Sequence, residues 1–166
     1  MKRVYLLIIV AITVLAGDGL VKFWINRWLE PGDLVPVVNE AIRLTLAYNT
    51  GVAFGMFGNG GRGLLVLTGA IIVVLAIWAT YSVYATKTPR FAYLPLGLLL
   101  GGAIANFVDR VMDGRVTDFL DVGLTVWRWP TFNLADCAIV VGVSLLMLLF
   151  WNRQEPQVTE VRATHP

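Results

Sequence analysis

The sequence has very few of the residues that bind transition metals or act as thiol nucleophiles. Its 166 residues include one histidine, His165, and one cysteine, Cys137. A catalytic zinc site usually takes three protein ligands, most often His or Cys, so a zinc protease is excluded. A Cys–His nucleophile fails for the same reason, and one cysteine forms no intrachain disulfide. We expect neither a metal nor a cofactor.

Charge is also scarce. Only 14% of the residues are charged and 57% are hydrophobic, whereas soluble domains carry about 25% charged residues. The composition therefore indicates a membrane protein. The net charge of +2 is small, and the basic residues form no stripe along one face, so nucleic acid is excluded as a partner.

Long apolar runs are abundant. A membrane-spanning helix needs about 20 mostly apolar residues, and four stretches meet that length, namely residues 4–25, 64–84, 91–108 and 132–151. The sequence predicts a mainly α membrane protein with four transmembrane helices in one domain over residues 1–152. Residues 153–166 are polar and are expected to form a cytoplasmic tail.

An even number of spans places both termini on one side. The basic residues expected on that side are Lys2, Arg3, Lys87, Arg90 and Arg153. Because short cytoplasmic loops are rich in Lys and Arg, we expect the N and C termini to be cytoplasmic. The basic start followed by an apolar run is also typical of a cleavable signal peptide, but the run is long enough to span, so we expect it to remain.

The segment 26–62, between the first two spans, contains a β pattern. In the stretch IRLTLAY, residues 42–48, large apolar and other side chains alternate, which is the period of a strand. Turn residues flank it at Pro31-Gly32 and at Gly58–Gly61. We predict a small extracytoplasmic β cradle. The Gly-rich turn at 58–61 fits equally a mobile flap and a simple connection.

Carboxylates are concentrated near the same side. The motifs NFVDR, 106–110, and FNLAD, 132–136, each place an Asn three residues before an Asp, and Asp118 lies between them. At 1.5 Å rise per residue, Asp18, Asp109 and Asp136 lie roughly 22 to 28 Å from the opposite ends of their spans. An ionised group in the membrane costs about 3 kcal/mol or more, so such groups usually serve function.

Two functions fit paired carboxylates. Two neighbouring Asp side chains share a proton, so one can activate water while the other hydrogen-bonds the carbonyl under attack. This chemistry hydrolyses peptides. A Ser–Lys dyad is excluded because Ser82 and Ser144 lie far from Lys22 in depth. The alternative is a small proton-coupled membrane transporter that uses the Asp residues as a relay, although repeats and further spans are not evident.

Five motifs identify a resemblance. They are DGLVK at 18–22, LAYNTGVAF at 46–54, GGAIANFVDR at 101–110, GRVTDFLDV at 114–122 and FNLADCAI at 132–139. In this order they resemble the lipoprotein signal peptidase, or signal peptidase II, family. The resemblance implies an aspartyl endopeptidase of the bacterial cytoplasmic (inner) membrane. It would remove signal peptides from diacylglyceryl-modified prolipoproteins, before the lipidated cysteine, with its active site toward the outer leaflet.

The resemblance also assigns residues. It implies that Asp118 and Asp136 are the catalytic pair, and that the substrate or this pair is supported by four further polar residues, Asn49, Asn106, Arg110 and Asn133. Asp18, Lys22 and Asp109 are expected to be structural. Asp18 and Lys22 also have the i, i+4 spacing of a helical ion pair. The implied partners are a lipid-modified prolipoprotein and membrane lipids.

Overall fold

The computed structural model describes residues 2–51, 61–84 and 90–151. Within them, four helices are long and apolar enough to cross a membrane. They are α1 (Lys2–Trp28), α2 (Gly61–Tyr84), α3 (Tyr93–Asp113) and α4 (Leu134–Trp151). A short 3-10 turn, Arg90–Ala92, precedes α3. The predicted four-helix membrane architecture is confirmed.

Two helices are longer than their predicted spans. The spans 4–25 and 91–108 continue as helix to Trp28 and Asp113. Hydropathy identifies the membrane-embedded part of a helix, whereas the backbone remains helical until a stop signal. For α3 that signal is Gly114, which has φ 69° and donates its N–H to the Arg110 carbonyl, a left-handed cap that glycine adopts without strain.

The other two helices differ at their starts. α2 begins three residues before the predicted span 64–84, and α4 begins at Leu134 rather than at Phe132. The late start of α4 follows from Asn133, whose side-chain oxygen accepts the backbone N–H of Asp136 and so caps the helix.

Four strands form one antiparallel sheet in the order β1-β2-β3-β4. They are β1 (Leu34–Val38), β2 (Ile42–Asn49), β3 (Val116–Leu124) and β4 (Trp127–Arg128). The strand predicted over 42–48 is confirmed as β2. Ile25 of α1, Leu46 and Phe119 form a buried cluster that joins the sheet to the helices. We call this the sheet end of the bundle, and the opposite end, where α2 ends and α3 begins, the far end.

The strands β3 and β4 were not predicted from the sequence. β2 pairs along one edge of β3, and the backbone of Phe132 bonds to Phe119 and Leu120 along the other. Residues 116–119 are all buried, although Thr117 and Asp118 are polar, so both faces of the strand are covered there. A strand covered in this way shows no alternation of polar and apolar residues, which is the signal that identified β2.

α3 is the central helix. Gly97 and Gly101, one turn apart on α3, let α1 pack closely, since a Cβ at Gly101 would lie 2.8 Å from the carbonyl oxygen of Ala11. Gly142 on α4 similarly faces the carbonyl of Pro95. Such small residues allow helix backbones to approach in a membrane. α2 packs mainly against α3.

Some predicted features lie outside the described residues. These are the polar tail 153–166, most of the Gly-rich turn at 58–61, and Lys87 in the connection between α2 and α3.

We expect the substitution Gly101→Ala to destabilise the protein by about 1–3 kcal/mol, since a methyl group there overpacks the contact with α1. The matched control is Gly19→Ala on α1, where an added Cβ meets no atom within 4 Å and alanine favours the helix. Thermal unfolding in detergent micelles checks both. Equal unfolding midpoints for the two variants would contradict the packing role of Gly101.

Candidate active site

Asp118 lies on β3 and is 2% exposed. It pairs in register with Ala47 of β2, so Asn49, two residues further along β2, lies diagonally opposite on the same face. The Asn49 amide nitrogen donates to Asp118 Oδ2 at 3.1 Å, and the Asn133 amide nitrogen donates to Asp118 Oδ1 at 2.7 Å. Both carboxylate oxygens are therefore held by neutral amide donors.

Asp136 lies in the first turn of α4, where a reciprocal cap fixes it. Asn133 Oδ1 accepts the Asp136 backbone N–H at 2.9 Å, and Asp136 Oδ2 accepts the Asn133 backbone N–H at 3.3 Å. This is a capping-box geometry, and it explains the spacing of the FNLAD motif. The remaining oxygen, Asp136 Oδ1, accepts the amide of Asn106 on α3 at 2.7 Å.

The two aspartates are connected through two asparagines. Asn133 donates from the same amide to Asp118 and to Asn106 Oδ1, the latter at 3.2 Å, and Asn106 donates to Asp136. We call Asp118 and Asp136 the carboxylate pair. Burial, followed by the negative charge of Asp136, raises the pKa of Asp118 from its usual 3.8 to about 6.

A buried cation, Lys22, is separated from the carboxylate pair by one residue, Asn106. Lys22 of α1 forms ion pairs with Asp18 at 2.5 Å and with Asp109 of α3 at 2.7 Å, so the i, i+4 pair expected from the sequence is present and a second acid joins it. Lys22 Nζ also lies 3.4 Å from Asn106 Oδ1. Since an ammonium only donates, Lys22 orients the Asn106 amide with its NH₂ group toward Asp136.

Asp18 has a second contact that the sequence did not reveal. Its Oδ1 accepts the backbone N–H of Ala135 at 3.0 Å, so α1 supplies an acceptor to the first turn of α4. Asp18 is 1% exposed. The acid at position 18 therefore both neutralises Lys22 and satisfies a helix-start donor beside the carboxylate pair.

Arg110 points away from Asp109, as expected for successive helix residues. Its guanidinium donates to the carbonyl oxygens of Asn106 at 3.2 Å and Gly51 at 2.8 Å. Among the described residues, its buried Nε has no hydrogen-bond partner, and none of the carboxylates lies within ion-pair distance of it. Arg110 lines the same space as the carboxylate pair and retains an unused donor.

That space is a cleft of about 790 Å³. Its polar end holds Asn49, Asp118, Asp136 and Arg110, and the rest is lined by apolar side chains of three helices, including Ile71, Leu75, Leu99, Ile139 and Val140. The segment 129–132, between β4 and α4, forms part of the wall and was not predicted to do so. Within the described part of the chain, no group of three or more His, Cys, Asp or Glu side chains is placed to hold a metal ion.

A second ionic cluster lies on the sheet and was also missed by the sequence. Asp121 of β3 binds Arg43 of β2 at 2.5 Å and Arg128 of β4 at 2.6 Å. Burial alone would raise the pKa of Asp121, but the hydrogen bonds and charges of Arg128 and Arg43 outweigh it and lower that pKa. The cluster ties three strands together. Arg43 lies 78 positions from Asp121 in the sequence, and Arg128 meets Asp121 only through the hairpin of β3 and β4, so no local pattern indicates the cluster.

Comparison with known proteins identifies the family to which the chain is similar. The sequence model of the Signal peptidase (SPase) II family matches residues 10–152. The lipoprotein signal peptidase of Brevibacillus brevis is 38% identical over 84% of this chain and 91% of that protein, and the one from Bacillus subtilis is 34% identical over 84% and 88%. A solved bacterial membrane enzyme structure superposes with a TM-score of 0.76 at 28% identity, covering 92% of this chain and 93% of that one.

We expect the substitution Lys22→Met to lower the free energy of unfolding by about 3 kcal/mol or more, because it leaves the buried Asp18 and the half-buried Asp109 without their cation. Thermal unfolding in detergent measures this loss. The matched control is Arg27→Met, an exposed cation at the end of the same helix, which should change stability by less than about 1 kcal/mol. An unchanged unfolding midpoint for Lys22→Met would show that the buried ion pairs contribute nothing.

The substitution Asp118→Asn should stabilise the protein increasingly as the pH rises. Because the pKa of Asp118 is raised in the folded state, the folded protein binds a proton that the unfolded chain has released between about pH 4 and pH 6, and the parent loses stability over that window. Above about pH 7 the variant should gain up to about 3 kcal/mol relative to the parent.

The control for this experiment is Asp121→Asn, for which the expected dependence of stability on pH has the opposite sign. Ion pairs lower the pKa of Asp121, so its stabilising contribution is present at neutral pH and is lost as the pH falls. Unfolding midpoints of both variants at about pH 5 and about pH 8 separate the two cases. A gain for Asp118→Asn that does not depend on pH would contradict the raised pKa.

Proposed function

The chain belongs to the signal peptidase II family and is an aspartic-type membrane protease that cleaves signal peptides, and we propose that Asp118 and Asp136 are its catalytic residues. The observation that carries this proposal is the contact of one residue, Asn133, with both carboxylates: its side-chain amide donates to Asp118 and its backbone N–H donates to Asp136. That contact holds two acids from different elements at the polar end of one cleft. A small proton-coupled transporter, the second function open from the sequence, has no support among the relatives.

The pair supplies an acid and a base. Two carboxylates that line one cleft and are joined through Asn133 and Asn106 can divide the tasks of acid and base between them. We assign the proton to Asp118, whose pKa is raised to about 6, and the role of base to Asp136. Each carboxylate retains lone pairs beyond its amide bonds, so both can also bind a water molecule that lies between them.

The reaction then needs no covalent enzyme intermediate. Asp136 takes a proton from the bound water as its oxygen attacks the carbonyl carbon of the scissile peptide, and Asp118 donates its proton to the carbonyl oxygen. In the second step the carbonyl re-forms as the C–N bond breaks, and the proton held by Asp136 passes to the leaving amine. The proton of the intermediate's hydroxyl returns to Asp118, which restores the initial state.

Two further residues are placed to hold the substrate backbone. The guanidinium of Arg110 lines the cleft together with the carboxylate pair, so we assign it to a substrate carbonyl oxygen near the cleavage site. Asn49 holds Asp118 and lies in the wall of the same cleft. We assign Asn106 and Asn133 to support of the carboxylate pair, and Asp18, Lys22 and Asp109 to support of Asn106 and of the start of α4.

We propose that the substrate is a lipid-modified lipoprotein precursor. The relatives carry the name lipoprotein signal peptidase, and the cleft is apolar along α2, α3 and α4, which suits the apolar segment of a signal peptide lying among the helices. The acyl chains then remain in the bilayer beside the active site. Only the carboxylate pair and its amide donors must be reached by water, at the sheet end.

The orientation follows from the charges at the helix ends. Lys2 and Arg3 are the first residues of α1, and the short connection between α2 and α3 contains Lys87, so we place the far end and both termini on the cytoplasmic side. The sheet end, with the carboxylate pair, then lies toward the outer leaflet of the bacterial cytoplasmic membrane.

The substitutions Asp118→Asn and Asp136→Asn should each lower kcat/KM by at least about a hundredfold, since each removes one half of the acid–base pair. The assay follows release of the signal peptide from a diacylglyceryl-modified precursor peptide in mixed micelles, by mass spectrometry. Asp113→Asn, which alters an exposed carboxylate after Arg110 on the same helix, is the control and should cleave at the parent rate. Near-parent cleavage by either pair variant would disprove the assignment.

A further inference from the structure

One face of the sheet carries the second ionic cluster. Residues that pair directly across an antiparallel sheet point to the same face. Arg43 pairs in register with Asp121, and Gly123, two residues after Asp121, pairs with Arg128. Both arginines bind the Asp121 carboxylate. Arg43, Asp121 and Arg128 therefore share one face, which we call the ionic face.

The opposite face of the sheet is apolar, and we call it the apolar face. It begins beside Asp118, because Leu120 follows Asp118 by two positions on β3 and so points to the same side. Its further members are joined by register across the strands, and the pairs are Val35 with Leu44, Leu44 with Leu120, Ile42 with Val122, and Leu124 with Trp127.

The apolar face is covered only at the end that adjoins the helices. Leu44 and Leu120 pack against the buried cluster that joins the sheet to the helices. In contrast, Leu124 is 69% exposed and Trp127 is 84% exposed. Exposure of this face thus increases along β3 with distance from Asp118, and large apolar side chains remain uncovered at its outer end. Such a surface indicates contact with a partner or with a membrane.

The turn between β3 and β4 is also apolar, and we call residues 124–127 the hairpin tip. Tight hairpin turns usually contain Gly, Asn or Asp, whereas this turn consists of Thr125 and Val126. Thr125 takes φ 48°, which is unfavourable for a β-branched residue, and Val126 is 87% exposed. Residues 122–127 include no charged side chain. This composition suits an apolar environment better than water.

The edge of the sheet does not favour a second copy of the chain as the covering partner. Among the described strands β1 is an edge strand, and Pro36 within it has no N–H to donate. The register of β1 also shifts between Pro36 and Val38. A proline and an irregularity at an edge oppose pairing with another strand. All five side chains of β1 are nevertheless exposed, and lipid can cover them without any strand pairing.

We propose that the apolar face of the sheet lies on the lipid bilayer, with the hairpin tip inserted into the leaflet at the sheet end of the bundle. The ionic face then points toward water. Trp127 joins Trp24 and Trp28 at the end of α1, which are also exposed, and tryptophan is enriched where a membrane meets water. Because β3 carries both the tip and Asp118, this contact sets the height of the carboxylate pair relative to the bilayer.

The test places one fluorophore at the hairpin tip. The full chain with Val126→Cys and Cys137→Ala, which leaves one cysteine, is labelled with a maleimide dye and reconstituted into vesicles of phosphatidylethanolamine and phosphatidylglycerol. A lipid with a spin label on its acyl chain quenches the dye from within the bilayer, and iodide quenches it from water. We expect the lipid quencher to lower the fluorescence at position 126 at least about twofold, because the tip lies in the interface, and iodide to have little effect.

The matched control is Glu40→Cys in the same Cys137→Ala background. Glu40 has an exposed side chain and pairs with Arg43 of the ionic face, so iodide should quench this position and the lipid quencher should not. Equal lipid quenching at positions 126 and 40, or strong iodide quenching at 126, would overturn the proposal. Protection of position 126 from both quenchers would also overturn it, because protein rather than lipid would then cover the tip. These outcomes are independent of the catalytic roles of Asp118 and Asp136.

Discussion

The start of α4 is the constraint on which the site depends. Asn133 ends the extended segment after β4, caps α4, and reaches Asp118 on β3 and Asn106 on α3 with the same side chain. The sheet and the helices are therefore joined at one residue that is completely buried. Any shift of α4 relative to β3 would separate the two carboxylates and break the cap at the same time, so stability of the fold and geometry of the site are coupled.

The hydrogen-bond donors around the carboxylate pair are neutral, and the cation Lys22 contacts Asn106 rather than the pair itself. The amides of three residues, Asn49, Asn106 and Asn133, donate hydrogen bonds to the carboxylates and carry no charge. An arginine in their place would favour the charged form of a carboxylate, whereas neutral amides leave both protonation states accessible. Lys22 is neutralised by Asp18 and Asp109 and acts on the pair through Asn106. By contrast, Asp121 on the same sheet binds two arginines directly and serves as a structural acid. Aspartate side chains thus have two different roles in this protein, and the role depends on whether the partners of the carboxylate are amides or guanidinium groups.

Much of this arrangement was accessible from the sequence, but unevenly. The four helices and β2 follow from periodicity and hydropathy, and the ion pair of Asp18 with Lys22 follows from spacing within one helix. β3 was missed because side chains on both of its faces are buried over residues 116–119 and show no alternation, and the role of Asp109 was missed because its partner lies on another helix. The cluster of Arg43, Asp121 and Arg128 likewise depends on strand register, which is set by tertiary pairing. Local patterns predict elements well, whereas contacts between elements required the fold.

Close packing at glycines joins α1, α3 and α4 and distinguishes these three helices from α2. Every described helical member of the hydrogen-bond and ion-pair network around the carboxylate pair lies on α1, α3 or α4, while α2 contributes only Thr68, Ile71 and Leu75 to the cleft. A tilt of α2 would therefore widen the cleft without displacing either carboxylate of the pair. The position of the two carboxylates is thus set by α1, α3, α4 and the sheet, and a change of side-chain bulk on α2 would alter the apolar wall of the cleft without touching that network.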